Sequence, residues 1–287
     1  MYNLKYESSN GKSINFSPLE HIILTKVDGL TQVNTELSTS QGMNQIGTTI
    51  QGRSVKDKLI TIEGTFIGAS SALRRRLIDT LVPLTSGVLI YDNKWKIEVE
   101  PENTADISRD SYNASFQFVL KAPYPYWKSI TESKTSLTGI EAVFKYPLTY
   151  KEPHMFGQRI ESSYQNIYNN GNVPIPFMIE FVAKTTVKNP QIFNMKTLEF
   201  IRINKTIEAG EVIRINMTGG TLDITSTING ITTNAFGFFD IDSTIFKLEI
   251  GENLLKSEAE VNSKGLYSTI YYNTTTAGVY GDDITYF

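Results

Sequence analysis

Cysteine is absent from this chain of 287 residues. That absence removes disulfides, thiolate metal sites and cysteine nucleophiles together. Histidine is nearly absent too, with only His21 and His154. His21 opens an apolar strand and His154 follows Pro153, so both read as structural residues rather than catalytic ones. Net charge is small, −3 overall. Basic and acidic residues number 14 and 13 in residues 1–130, and 13 and 17 in residues 131–287. Neither part carries the basic excess of a nucleic-acid binder. No run approaches the ~20 apolar residues that span a bilayer. The first residues after Met1 are polar, and no apolar core of a signal peptide follows. There is no His-Glu-x-x-His, Gly-x-Ser-x-Gly, Gly-x-Gly-x-x-Gly or Lys-bearing phosphate loop. The expectation is therefore no enzyme, no cofactor and no metal.

What is present is an ordinary globular composition, 40% hydrophobic and 20% charged, with 15 Tyr and 15 Phe. That is enough for two cores. Residues 1–35 read as strands around Gly11 and Gly29. Lys58–Ile67 alternates strongly, with Ile60, Ile62 and Phe66 on the apolar face. A helix follows, capped by Ser70 or Ser71, with Leu73, Leu77, Ile78 and Leu81 as its apolar stripe and Pro83 as its stop. Strands resume at Val88–Tyr91, Trp95–Glu100 and Tyr112–Leu120, with Asp92-Asn93 as a hairpin turn. The run Phe116-Gln117-Phe118-Val119-Leu120-Lys121-Ala122-Pro123-Tyr124-Pro125-Tyr126-Trp127 closes this half. Its prolines end a ladder and its aromatics seal a core.

Residues 129–172 carry no clean periodicity and read as a linker with a few anchoring aromatics. From residue 173 onward the pattern is β throughout. Candidate strands are 175–183, 198–203, 212–216, 221–228, 245–250 and 266–272. The turns include Asn189-Pro190 and a tight hairpin at Asn229-Gly230. The fold expected is mainly β: an α+β domain over 1–128 with one helix packed on a sheet, the linker 129–172, and a β-sandwich over 173–287.

Two stretches stand out as interaction candidates. Residues 36–52 are polar and Gly-punctuated, with little to bury. They are either a loop or an extended β-arm that is ordered against a neighbouring subunit. Gly42, Met43, Ile46 and Ile50 are its candidate subunit contacts, and Arg53 at its end is a candidate charged contact. Arg74, Arg75 and Arg76 crowd the polar side of the helix. They are either a solvated face or charges toward a lumen or an acidic neighbour. The carboxylate pairs Glu98/Glu100 and Asp240/Asp242 sit two residues apart, roughly 7 Å on a strand, but solvated acidic pairs are common.

The Gly-rich arm, the Leu59–Ile67 strand, the Arg-bearing helix ending at Pro83 and the Ala122-Pro123-Tyr124-Pro125-Tyr126-Trp127 close resemble the N-terminal half of siphophage distal tail proteins. Asn169-Asn170-Gly171-Asn172-Val173-Pro174, Asn189-Pro190, Ile203 to Glu211 and Phe246 to Asn253 follow in that family's order. The resemblance implies a tail-tube-like first domain and a galectin-like second one. It implies a homohexameric ring at the tail tip, joining the tail-tube protein to the tail-tip hub and carrying a receptor-binding protein. DNA would pass only in transit, and no membrane partner is implied. The protein would be made in the host bacterial cytoplasm and reside in the virion tail tip. The alternative reading is a carbohydrate-binding β-sandwich that contacts host cell-wall glycan.

Overall fold

The computed structural model describes residues 3–68, 71–110, 112–137, 140–141, 158–159 and 164–280. The chain divides into two compact units. The first holds the described residues up to Thr131 together with those from Thr275, and the second holds Glu132–Thr274.

In the first unit the alternating runs pair into one antiparallel sheet. Its order is Ser13–Phe16, Leu4–Ser8, Gly87–Tyr91, Trp95–Pro101, Ser115–Ala122, Lys58–Phe66 and Ile22–Asp28. Period-two alternation puts one side of each strand into a shared core. Ile60, Ile62 and Phe66 are buried together with Phe116, Phe118 and Leu120. The sheet curls over itself. Phe16, on an outermost strand, stacks on Phe118 at 5.8 Å, and Phe66 packs on Phe116 at 4.8 Å. Gly64 makes room for this cluster, since a Cβ there would meet the Phe116 ring at 2.5 Å. Asp92 and Asn93 both take positive φ in the hairpin between Gly87–Tyr91 and Trp95–Pro101, as a tight turn requires. The proline-aromatic close ends the Ser115–Ala122 strand. Trp127 then resumes pairing, fully buried, and its ring lies edge-on to Tyr91.

Ser71–Thr80 is the one α-helix among the described residues. Leu77, Thr80 and Leu81 face the core and Leu73 is partly buried against it. Ile78, expected in the apolar stripe, is 53% exposed. One position past Leu77 is a turn of about 100° around the helix, which carries Ile78 off the buried face. Ser70 lies outside the described residues.

The second unit is a two-sheet sandwich. One sheet runs Ser133–Ser136, Leu266–Tyr272, Met178–Ala183, Val212–Asn216, Asp223–Ile228, Ile231–Asn234. The other runs Tyr164–Asn169, Gly251–Val261, Val187–Asn194, Phe200–Arg202, with Thr206–Ile207 beside Val187. Inward residues of both sheets, including Ile179, Phe181, Ile192, Ile213 and Leu255, form a second core. Asn229 and Gly230 take positive φ between Asp223–Ile228 and Ile231–Asn234, giving the hairpin expected there.

Several segments differ from the expectations. Residues 133–136 and 164–169, read as linker, are strands of the sandwich; the aromatics at 144–148 lie outside the described residues. Asn189-Pro190, read as a turn, lies inside the strand Val187–Asn194. Asn189 takes φ 49° there, and pairing passes from Lys188↔Val261 to Pro190↔Ala259. Residues 245–250 make only a bridge, Leu248 with Ile175. The adjacent Gly251–Val261 is the long strand instead, masked in the sequence by the polar side chains on its outer face. The residues from Thr275 onward, read as part of the sandwich domain, fall in the first unit.

Candidate assembly interface

Residues 36–52 are not an irregular loop. Thr35–Ser40 and Thr49–Val55 pair with each other as a two-stranded hairpin, and with no other described strand. Lys56 N donates to Asn34 O at 2.8 Å and closes the base. At the tip Gly42 N donates to Gln45 Oε1 at 2.9 Å, and Gln45 Nε2 to Thr49 Oγ1 at 2.9 Å. These polar side chains tie the turn without any core.

The arm has two unlike faces. Directly opposed residues of an antiparallel pair share a face. Thr35 opposes Val55, Leu37 opposes Arg53 and Thr39 opposes Ile50, which gathers Leu37, Ile50, Val55 and Arg53 on one side. Glu36 opposes Ser54, Ser38 opposes Gly52 and Ser40 opposes Thr49, so the other side is polar. A bulge between Ser38 and Thr39 keeps this alternation in step. The three aliphatic residues are about half exposed, with no cover from the described chain. At the tip Met43 is 97% and Ile46 102% exposed. Among the expected contacts, the structure brings Ile50 and Arg53 onto one face and leaves Gly42, Met43 and Ile46 at the tip. The sequence reading missed Leu37 and Val55. No local pattern marks them, because the cross-strand register decides that they share a face.

The helix arginines part ways. Arg76 donates through Nε to Ser13 O at 3.1 Å and through Nη1 to Glu20 Oε2 at 2.9 Å. Arg74 donates to Asp110 O. Both tie the helix to its own unit. Arg75 is exposed and faces an open hollow of about 450 Å³ lined by Lys12, Ser13, Ala72, Arg76 and Asp79.

The residues weighed for chemistry do not assemble. His21 sits in the left-handed region at φ 60° and terminates a short 3-10 turn; His154 lies outside the described residues. Asp240 is buried against Arg202 at 3.2 Å, in a turn where its Oδ1 accepts from Asp242 N, so the Asp240/Asp242 pair is not a strand face. Glu98 pairs with Lys128 at 3.4 Å. Among the described residues no group of three or more His, Asp or Glu converges as a metal site, and no helix is long and apolar enough to cross a membrane. Among the described residues the most deeply held carboxylate is Glu211, bound by Lys205, Ser226 and the amide of Glu208. Burial pushes its pKa up, but these donors outweigh burial and hold it below the usual carboxylate range.

The first unit is thus a sheet with one helix and an amphipathic arm, and the second a two-sheet sandwich. Residues 170–275 match the family model described as siphovirus-type tail component, C-terminal domain. Comparison with curated proteins gives no match. Among solved structures the chain is similar to SPP1 Dit, described as a paradigm of the hub adsorption apparatus in phages infecting Gram-positive bacteria. The TM-score is 0.69 at 12% identity, covering 96% of this chain and 99% of that one. It is also similar to a chain of the phage P2 baseplate in its activated conformation with Ca, with a TM-score of 0.50 at 12% identity, covering 94% and 98%. Residues 170–275 thus carry the match to a siphovirus-type tail component domain, and across nearly the whole chain the likeness to SPP1 Dit is one of fold.

Proposed function

We propose that this chain is a structural subunit whose arm docks on a neighbouring copy and closes a ring of six, joining the tail tube to the tail-tip hub. The observation that carries this is the arm's uncovered aliphatic face of Leu37, Ile50 and Val55. An isolated two-stranded hairpin is marginal in water and needs a surface to pack on. Covering three half-exposed aliphatic side chains contributes roughly 2–4 kcal/mol per arm, repeated at every contact of a closed ring. Both outermost strands of the first unit's sheet order, Ser13–Phe16 and Ile22–Asp28, also offer edges that cyclic closure would protect. Arg53 shares the arm's aliphatic face and is the charged contact of this reading, while Arg75 is the helix charge left for a neighbour or the lumen. Met43, Ile46 and Gly42 at the tip are the farthest-reaching contacts. The sandwich is the platform for receptor-binding proteins, DNA passes through the ring in transit, and the role is not enzymatic.

The test replaces residues 38–54 by a short Gly-Ser turn. The subunit is expected to melt as the wild type does and to lose ring formation. A ring that survives the deletion contradicts the reading, and so does a subunit that no longer folds. In the carbohydrate-binding alternative, the full chain would bind cell-wall glycan saturably; the structural reading expects none in a glycan titration.

A further inference from the structure

Lys58 occupies the core-facing register of its strand, in step with Ile60, Ile62 and Phe66, and is 2% exposed. Its amine donates to two backbone carbonyls, Ala277 O at 2.8 Å and Leu30 O at 3.3 Å. Leu30 O also accepts from Trp127 Nε1 at 3.0 Å and from Val279 N at 3.2 Å. Thr275 and Thr276 pair with Lys128 and Trp127, and Val279 is buried in the first core. Gly278 lies so close to the chain at Thr31 that a Cβ would meet Thr31 Cα at 2.6 Å. The positions touched have one thing in common. Leu30 and Thr31 lead into the arm, and Lys58 is where the chain returns from it. Residues Thr275–Val279 therefore grip the arm's root from both sides.

We infer that Thr275–Val279 is a strap that locks the root of the arm, so that the arm is presented to its partner only after the C-terminal segment has folded back onto the first unit. This rests on the reading of the arm as the assembly interface. The strap continues directly from Thr274, the last residue of the second unit, so completion of the sandwich and readiness of the arm are linked along the chain. The lock uses few apolar contacts of its own. A fully buried amine on carbonyl oxygens, a glycine that alone fits against Thr31 and one buried valine make it specific. A hairpin without a core relies on its root for its direction, so a lock there acts on the whole arm.

The experiment compares four full-length chains: wild type, Gly278→Val, Lys58→Met, and the arm replacement described above. Amide hydrogen exchange is read at Leu30–Asn34 and Lys56–Lys58, and mass is measured at the concentration where the wild type forms its ring. Gly278→Val is expected to speed exchange at the root about tenfold or more, to leave the Met178–Ala183 strand unchanged and to shift the ring toward monomer. Lys58→Met keeps the volume and removes the donor. It is expected to fold and to show the same root-specific acceleration to a smaller degree. If Gly278→Val unfolds the first unit, Lys58→Met decides. Root exchange at the wild-type rate in the folded variants overturns the inference, as does a freed root in a chain that still forms rings at the wild-type concentration. An arm replacement that still forms rings defeats the assembly reading instead, and the exchange data then judge the strap by itself.

Discussion

Two strands separated by only Lys56 and Asp57 meet opposite fates. Thr49–Val55 is as extended as its neighbour, yet pairs only within its hairpin among the described strands and keeps its aliphatic side chains exposed, Ile50 and Val55 sharing a face only through the bulge. Lys58–Phe66 sits between two partner strands and buries Lys58, Ile60, Ile62 and Phe66. The comparison separates two things that strand periodicity confounds. Backbone pairing is available to any extended segment that can fold on itself. Burial needs a second layer, and among the described strands none pairs with the arm. The proposed function gives that exposed apolar face its cover on another molecule.

The largest effect that can sharpen this contrast lies on the buried side. Phe118→Ala removes a ring packed against Phe16 and Phe116. It is expected to cost about 3–5 kcal/mol in chemical denaturation of the first unit, whereas Ile46→Ser at the arm's tip is expected to change subunit stability by no more than about 0.5 kcal/mol. Equal costs at the two sites would erase the distinction.

A second contrast sets the sandwich's polar network against the arm's bare one. Glu211→Gln leaves the Lys205 amine without its anionic partner. With Lys205 partly solvated, the expected cost is about 1–3 kcal/mol, read in unfolding of the second unit. The pH dependence has a definite sign. The folded carboxyl has a lowered pKa, so its stabilisation is present above the unfolded value, 4.5, and is lost as pH falls through the folded value. Wild type should therefore lose more stability than Glu211→Gln on acidification below pH 4.5; parallel curves would remove Glu211 from the account.

A third contrast concerns Lys58, the one charged residue on the buried face of its strand. Burial pushes its pKa down to about 8 from 10.5. Between those values the unfolded chain holds more protons than the folded one, so this group makes stability rise with pH. The burial of Tyr124, whose pKa is pushed up to about 12 from 10.0, acts in the opposite sense only above pH 10. Wild type minus Lys58→Met should thus gain stability from pH 8 to 10, and a flat difference would place the amine in water.

Much of the fold was legible in the residues. Ile60, Ile62 and Phe66 announced a half-buried strand, Pro83 the end of the helix, and Asn229-Gly230 a hairpin, because each is a local rule with a local cause. Val187–Asn194 was hidden because Pro190 signals a turn, and the strand absorbs it only by putting Asn189 in the left-handed region. Gly251–Val261 was hidden because one sheet face is solvated. The strap from Thr275 to Val279 could not be read from Thr-Thr-Ala-Gly-Val, since its meaning lies in what Gly278 and Ala277 touch more than 200 residues away in sequence. At the arm, the lack of a core was plain from Gly42, Gln45 and Gly47. Its aliphatic face was not, because cross-strand register and the bulge decide which residues share a side.

The central claim is that the arm's aliphatic face is the surface on which the assembly is built. The direct measurement is the solution mass of Leu37→Glu/Ile50→Glu beside wild type over a concentration series, with thermal unfolding of each. The account predicts a wild type that reaches six times the 32.2 kDa subunit and a variant that stays monomeric with unchanged melting. A variant that still reaches the wild-type mass would contradict it.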